Sequence, residues 1–82
     1  MKYIIFEDFA GKKTPILFPE RILHEEIREQ IPYTRVLSAG QVIWSDRGIE
    51  CHGRAKALQV EAGPEDNQII AGHFASHEQS DT

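Results

Sequence analysis

The run Tyr3-Ile4-Ile5-Phe6 constrains the fold of this chain more than any other feature. Its residues are large, apolar and either β-branched or aromatic, which suits a pleated strand. Successive strand side chains point to opposite faces, so Tyr3 and Ile5 share one face and Ile4 and Phe6 the other. Both faces are apolar. A strand from Lys2 to Phe9 is therefore expected at the centre of a sheet, covered at least in part on both sides. Such a sheet takes most of the core that 82 residues can supply, since a chain this short buries only about 60–65% of its unfolded surface. One domain follows, with a shallow surface site easier to accommodate than a deep one.

The remaining elements are punctuated by Gly and Pro. Ala10-Gly11-Lys12-Lys13 reads as a turn and Thr14 to Phe18 as a returning strand. Pro15 has no N–H to give a ladder, which places that strand at a sheet edge. Pro19 fits the first position of a helix, with Glu20 behind it and Leu23, Ile27 and Ile31 forming one apolar stripe. Pro32 stops it. Tyr33 to Ser45 is expected as one long strand with a bulge or bend at Gly40. Asp46-Arg47-Gly48 turns the chain back. Ile49 to Lys56 then alternates, with Ile49, Cys51, Gly53 and Ala55 on one face and Glu50, His52, Arg54 and Lys56 on the other. Pro64-Glu65-Asp66 repeats the helix-start pattern ahead of Ile69, Ile70 and Phe74. The expected architecture is α+β, ββαββα. About four antiparallel strands form the sheet, and both helices pack on one of its faces. The domain spans residues 1–74, and 75–82 is a flexible polar tail.

Composition narrows the setting. No apolar run reaches the roughly 18 residues needed to span a bilayer. The start lacks the longer apolar segment and cleavage site of a signal peptide, so it is read as a strand of the mature fold. Cys51 is the only cysteine, which fits a reducing cytoplasm and rules out an intrachain disulfide. The net charge of −4 argues against nonspecific binding to nucleic acid or anionic membranes. The charge is uneven: residues 61–82 hold five acids and no Lys or Arg, whereas Arg35, Arg47, Arg54 and Lys56 lie in the middle of the chain.

Four stretches carry a resemblance. They are Ile16-Leu17-Phe18-Pro19-Glu20; Val36-Leu37-Ser38-Ala39-Gly40; Cys51-His52-Gly53-Arg54 with Leu58; and Pro64-Glu65-Asp66 with Ile69-Ile70. Together, from about Lys2 to Phe74, the chain resembles small uncharacterised proteins encoded in tailed-phage and prophage genomes. The resemblance implies the bacterial cytoplasm and a phage accessory role. It brings no catalytic residue with it.

Candidate chemistry is sparse. Cys51 and His52 are strand neighbours on opposite faces, and the position six after Cys51, where a phosphatase-type loop needs Arg, is Ala57. Cys51 therefore reads as a small core residue. His73 and His77 share a helix face, but Phe74 stands where the zincin pattern needs Glu. No catalytic residue, metal site or cofactor is assigned, and the protein is not read as an enzyme. The row His52, Arg54 and Lys56, extended by Arg47, has strand spacing of roughly 7 Å and suits phosphates or a nucleotide. Against it stands a solvated strand face. Trp44, core by default, is the candidate anchor of a protein interface. The favoured function is a noncatalytic phage-type accessory protein that binds another protein. The alternative is nucleic-acid or nucleotide binding through the basic face. A weak homodimer through a sheet edge is a further expectation.

Overall fold

The computed structural model describes residues 1–31 and 34–80, with side chains through residue 74. Pro32, Tyr33 and the tail side chains from 75 on, to which expectations were attached, lie outside the described residues. The elements are β1 (Lys2–Glu7), β2 (Lys13–Phe18), α1 (His24–Gln30), β3 (Arg35–Ser45), β4 (Gly48–His52), β5 (Arg54–Ala55), β6 (Val60–Glu61) and α2 (Asp66–Ser80). The main sheet is antiparallel, in the order β2-β1-β3-β4, and β5 pairs with β6 in a small ribbon of its own. The α+β architecture with a four-stranded sheet and two helices is as the sequence implies. β1 is central, and β2, with Pro15 opposite Ile5, is an edge. No helix among the described residues is long and apolar enough to cross a membrane.

The helices do not share a face, which corrects the expected one-sided packing. Ile4, Phe6, Phe18 and Ala39 form one core, against which Ile27 and Ile31 pack from α1 and its end. Tyr3, Ile5 and Val42 form a second core with Ile70 of α2. The reason lies in β1: two apolar faces leave exposed hydrophobic surface unless each face receives its own cover.

Helix α1 is shorter than its apolar stripe suggests. Pro19 sits in a preceding turn, closed by the Ile22 N–H donating to the Pro19 carbonyl at 3.1 Å. Leu23 is the N-cap of the helix, and its N–H donates to the Glu26 carboxylate at 3.0 Å. His24 fixes this start to the sheet: its ring stands edge-on to Phe18, and Nε2 lies 3.1 Å from the Gly40 carbonyl oxygen. In β3 the irregularity falls at Leu37, where the register with β1 shifts between Ile5 and Phe6, and not at Gly40. Gly40 is required for another reason. A Cβ there would collide with the carbonyl oxygen of His52, so only glycine lets the end of β4 come this close.

Candidate functional site

The alternating run from Ile49 to Lys56 is broken at Gly53, which adopts φ +80, a conformation open to glycine at little cost. Before it, Ile49 and Cys51 pack towards the α2-side core. After it, Ala55 is buried in the α1-side core. The chain therefore crosses from one face to the other. The expected row of basic side chains is corrected accordingly. His52 ends β4, Arg54 lies in β5, and Lys56 begins a single 3₁₀ turn, Lys56–Leu58. Arg47 is in the β3–β4 turn, where its N–H donates to the Ser45 hydroxyl at 3.2 Å. All four are exposed. Only Arg54 and Lys56 line a common recess; His52 faces a different one.

The crossing leaves β4 as an open edge, and the backbone register shows which groups it presents. The Val42 N–H donates to the Met1 carbonyl at 2.8 Å, so Val42 turns its backbone groups away from β4. Its partner across the β3–β4 ladder is Cys51. In an antiparallel pair such a residue directs its N–H and carbonyl outward, and alternation gives Ile49 the same outward direction. Gly53 comes next in that series, and its carbonyl accepts from the Ala62 N–H at 2.9 Å. Extending this pairing by two residues sets Pro64 opposite Cys51. Proline has no N–H to donate. The chain's own strand therefore stops at Ala62, and the outward groups of Ile49 and Cys51 have no partner among the described residues.

A groove of about 410 Å³ runs along this edge, lined by Glu50, Cys51 and His52 on one side and Gly63, Pro64 and Asn67 on the other. Consecutive strand residues point to opposite faces, so a recess touching all three of Glu50, Cys51 and His52 meets the strand at its edge. Next to it, Trp44 lies opposite Ile49 and is 50% exposed. Trp44 is thus not a core residue. It and the equally exposed Ile43 form an apolar end to the hairpin.

At the start of α2 lies a polar cluster that sequence reasoning missed. Asp66, 3% exposed, accepts hydrogen bonds from the Tyr3 hydroxyl, from the Ser38 hydroxyl at 2.8 Å and from the Gly63 N–H at 2.7 Å. It is the first-turn acid that the sequence implies, and it is also the buried acceptor that ties the start of α2 to β1 and β3. The signal available was Tyr3, a hydroxyl inside an otherwise apolar central strand, since a buried Tyr hydroxyl needs a partner. Burial, then the Asp66 bond and charge, push the Tyr3 hydroxyl far above the usual tyrosine range. Burial also pushes the Cys51 thiol up, opposed by a hydrogen bond with Tyr3 and reinforced by the Asp66 charge. A raised thiol has little thiolate at neutral pH, which suits a core residue rather than a nucleophile.

Among the described residues, no group of three or more His, Cys, Asp or Glu side chains is placed to hold a metal ion. The side chain of His77 is outside them. The chain matches no family model, no curated protein and no solved structure.

Proposed function

We propose that this chain is a noncatalytic binding module of the phage accessory kind, working in the bacterial cytoplasm. It takes up an extended segment of a partner protein along β4. The observation that carries this reading is the open edge at Ile49 and Cys51, halted by Pro64 and bordered by a groove. A segment laid there gains main-chain hydrogen bonds from the edge, and alternate side chains fall to either face. One face offers Ile49 and the exposed Trp44 as apolar contacts, and the other offers Glu50 and His52. The raised Cys51 thiol and the Asp66 carboxylate, buried and engaged by three donors, support a binding role over catalysis.

The test removes the edge donor and leaves every side chain in place. Ile49 is replaced by N-methyl-Ile49 in a chain joined chemically between Glu50 and Cys51. Both proteins are used to capture partners from a bacterial lysate, with and without nuclease treatment. The expected result is a protein partner held by the native chain and lost from the methylated one, with melting temperatures within a few degrees. Undiminished capture by the methylated chain, or retention of nucleic acid alone before nuclease treatment, overturns the reading.

A further inference from the structure

A second recess, of about 660 Å³, opens between Leu37 and Ser38 of β3 and the segment from Arg54 to Pro64. It is distinct from the β4 groove, sharing only Gly63 and Pro64 with it. Its size falls within the range of small-ligand sites.

Its lining divides into an apolar part and a cationic part. Leu37, Val60 and Ala62 are partly buried hydrophobics anchored in the two cores. Arg54 and Lys56 flank the buried Ala55 and are both exposed. Neither joins an ion pair or side-chain hydrogen bond among the described residues. Arg54 lies opposite Glu61 in the β5–β6 ladder, yet the two do not pair. The guanidinium and ammonium are therefore available to a ligand. The Ser38 hydroxyl already donates to Asp66, which leaves its oxygen to accept a bond. Gln59, also on the cleft, has φ 59 and is the only described non-glycine residue with positive φ. Strained backbone of this kind gathers at ligand sites.

We infer that this cleft binds a small organic anion with an apolar body. Arg54 and Lys56 hold the head group, and the body lies on Leu37, Val60 and Pro64. Arg supplies a planar fork that matches a carboxylate or phosphate, and Lys adds a point charge. A single head group fits better than a polyanion, because the chain as a whole carries −4 and repels an extended phosphate backbone. Glu61 lines the same cleft without pairing to Arg54, and its carboxylate repels an anionic head group, so it weakens binding without abolishing it.

The experiment titrates the full chain with octanoate, octyl phosphate, octylammonium and inorganic phosphate, read by amide NMR and calorimetry. The expected result is saturable binding of octanoate or octyl phosphate, with shifts at Arg54, Lys56 and Gln59, and none for octylammonium. Whichever anion binds more tightly names the head group. Arg54→Ala should weaken binding by about tenfold or more, because hydrogen bonds to charged groups are the strong ones. Glu61→Gln should tighten it. Melting temperatures of the two variants check that the fold is kept. Equal binding of octylammonium overturns the inference. So does an Arg54→Ala protein that binds as well as the native one, or no saturable binding of either anion up to about 10 mM.

Discussion

Asp66 is the residue on which the α2 side of the molecule depends. Its carboxylate is buried and joins no ion pair among the described residues; it accepts from three donors, Tyr3, Ser38 and Gly63. Each buried donor left without a partner costs about 1–3 kcal/mol. Asp66→Ala leaves three and should lower stability by roughly 3 kcal/mol or more, a large part of the total available to a domain of this size. Ser38→Ala removes one donor and should cost about 1–2 kcal/mol. Urea denaturation checks the order; equal losses would show that the cluster is not anchored on Asp66. The same cluster sets a pH dependence. The folded Tyr3 hydroxyl is raised, so above about pH 10 the unfolded state loses its proton while the native state keeps it. Stability from this source is complete below that pH and falls above it, by up to about 1.4 kcal/mol per pH unit. The raised Cys51 thiol adds a decline of the same sign from about pH 8.5. Denaturation curves between pH 9 and 11.5 should show a shallower decline for Tyr3→Phe than for the native chain.

At the scale of elements, local patterns identified what each segment is but not where it docks. Tyr3-Ile4-Ile5-Phe6 placed β1 correctly at the centre, and Pro15 placed β2 at an edge, because both are decided by one strand's own backbone and faces. The side taken by each helix was not legible. Two apolar faces on β1 call for a cover on each, but not for which helix takes which face; nor was the crossing at Gly53 legible, since its φ of +80 is not announced by a glycine in a sequence. The bulge was sought at Gly40 but falls at Leu37, since the register shift is a property of the pairing with β1. Two of the four proposed basic residues came together at one cleft, because Arg54 and Lys56 straddle Ala55 whereas Arg47 and His52 belong to β4 and its turn. Arg28 shows the same limit. It lies outside the apolar stripe of Leu23, Ile27 and Ile31, and nothing in that pattern signals that its guanidinium donates to the Ile31 carbonyl at 2.6 Å and to the Thr34 carbonyl at 3.1 Å. It holds the helix end to the following loop, as a cation suits a helix C-terminus. Arg28→Ala should therefore cost about 1–2 kcal/mol, Glu29→Ala less than about 0.5 kcal/mol, and Ile27→Asp, which sets a carboxylate against the core, about 3 kcal/mol or more. Thermal melts of the three variants test the ranking. An Arg28→Ala protein as stable as Glu29→Ala would mean that the guanidinium contacts contribute nothing.

At the scale of the whole molecule, the sheet has two edges and treats them differently. β2 is blunted by Pro15, whereas β4 keeps outward groups at Ile49 and Cys51. An open edge invites a second copy as readily as a foreign segment. Three symmetric registers decide whether the weak homodimer expected from the sequence forms. Two β4 strands related by a twofold axis at Cys51 would run into Gly63 and Pro64, which line the groove beside Cys51. An axis at Ile49 pairs only Gly48 to Glu50 of each strand. An axis at Glu50 uses the full edge, pairing Ile49 with Cys51 of the other copy, but sets Glu50 directly against its own equivalent. Like charges opposite one another are destabilising, and a charge on an edge strand is a common guard against self-pairing. Glu50 is exposed and has no ion-pair partner among the described residues, so nothing offsets that repulsion. The native chain should be monomeric at tens of micromolar by light scattering. Glu50→Val removes the charge and adds a strand-favouring side chain, and it should dimerise in the same range. That dimer should be lost again when Ile49 carries an N-methyl group, because the edge donors are then incomplete. A Glu50→Val protein that stays monomeric at millimolar concentration would mean that the segment from Ala62 to Pro64 covers more of β4 than the open groove implies, and would weaken strand addition by a foreign segment as well.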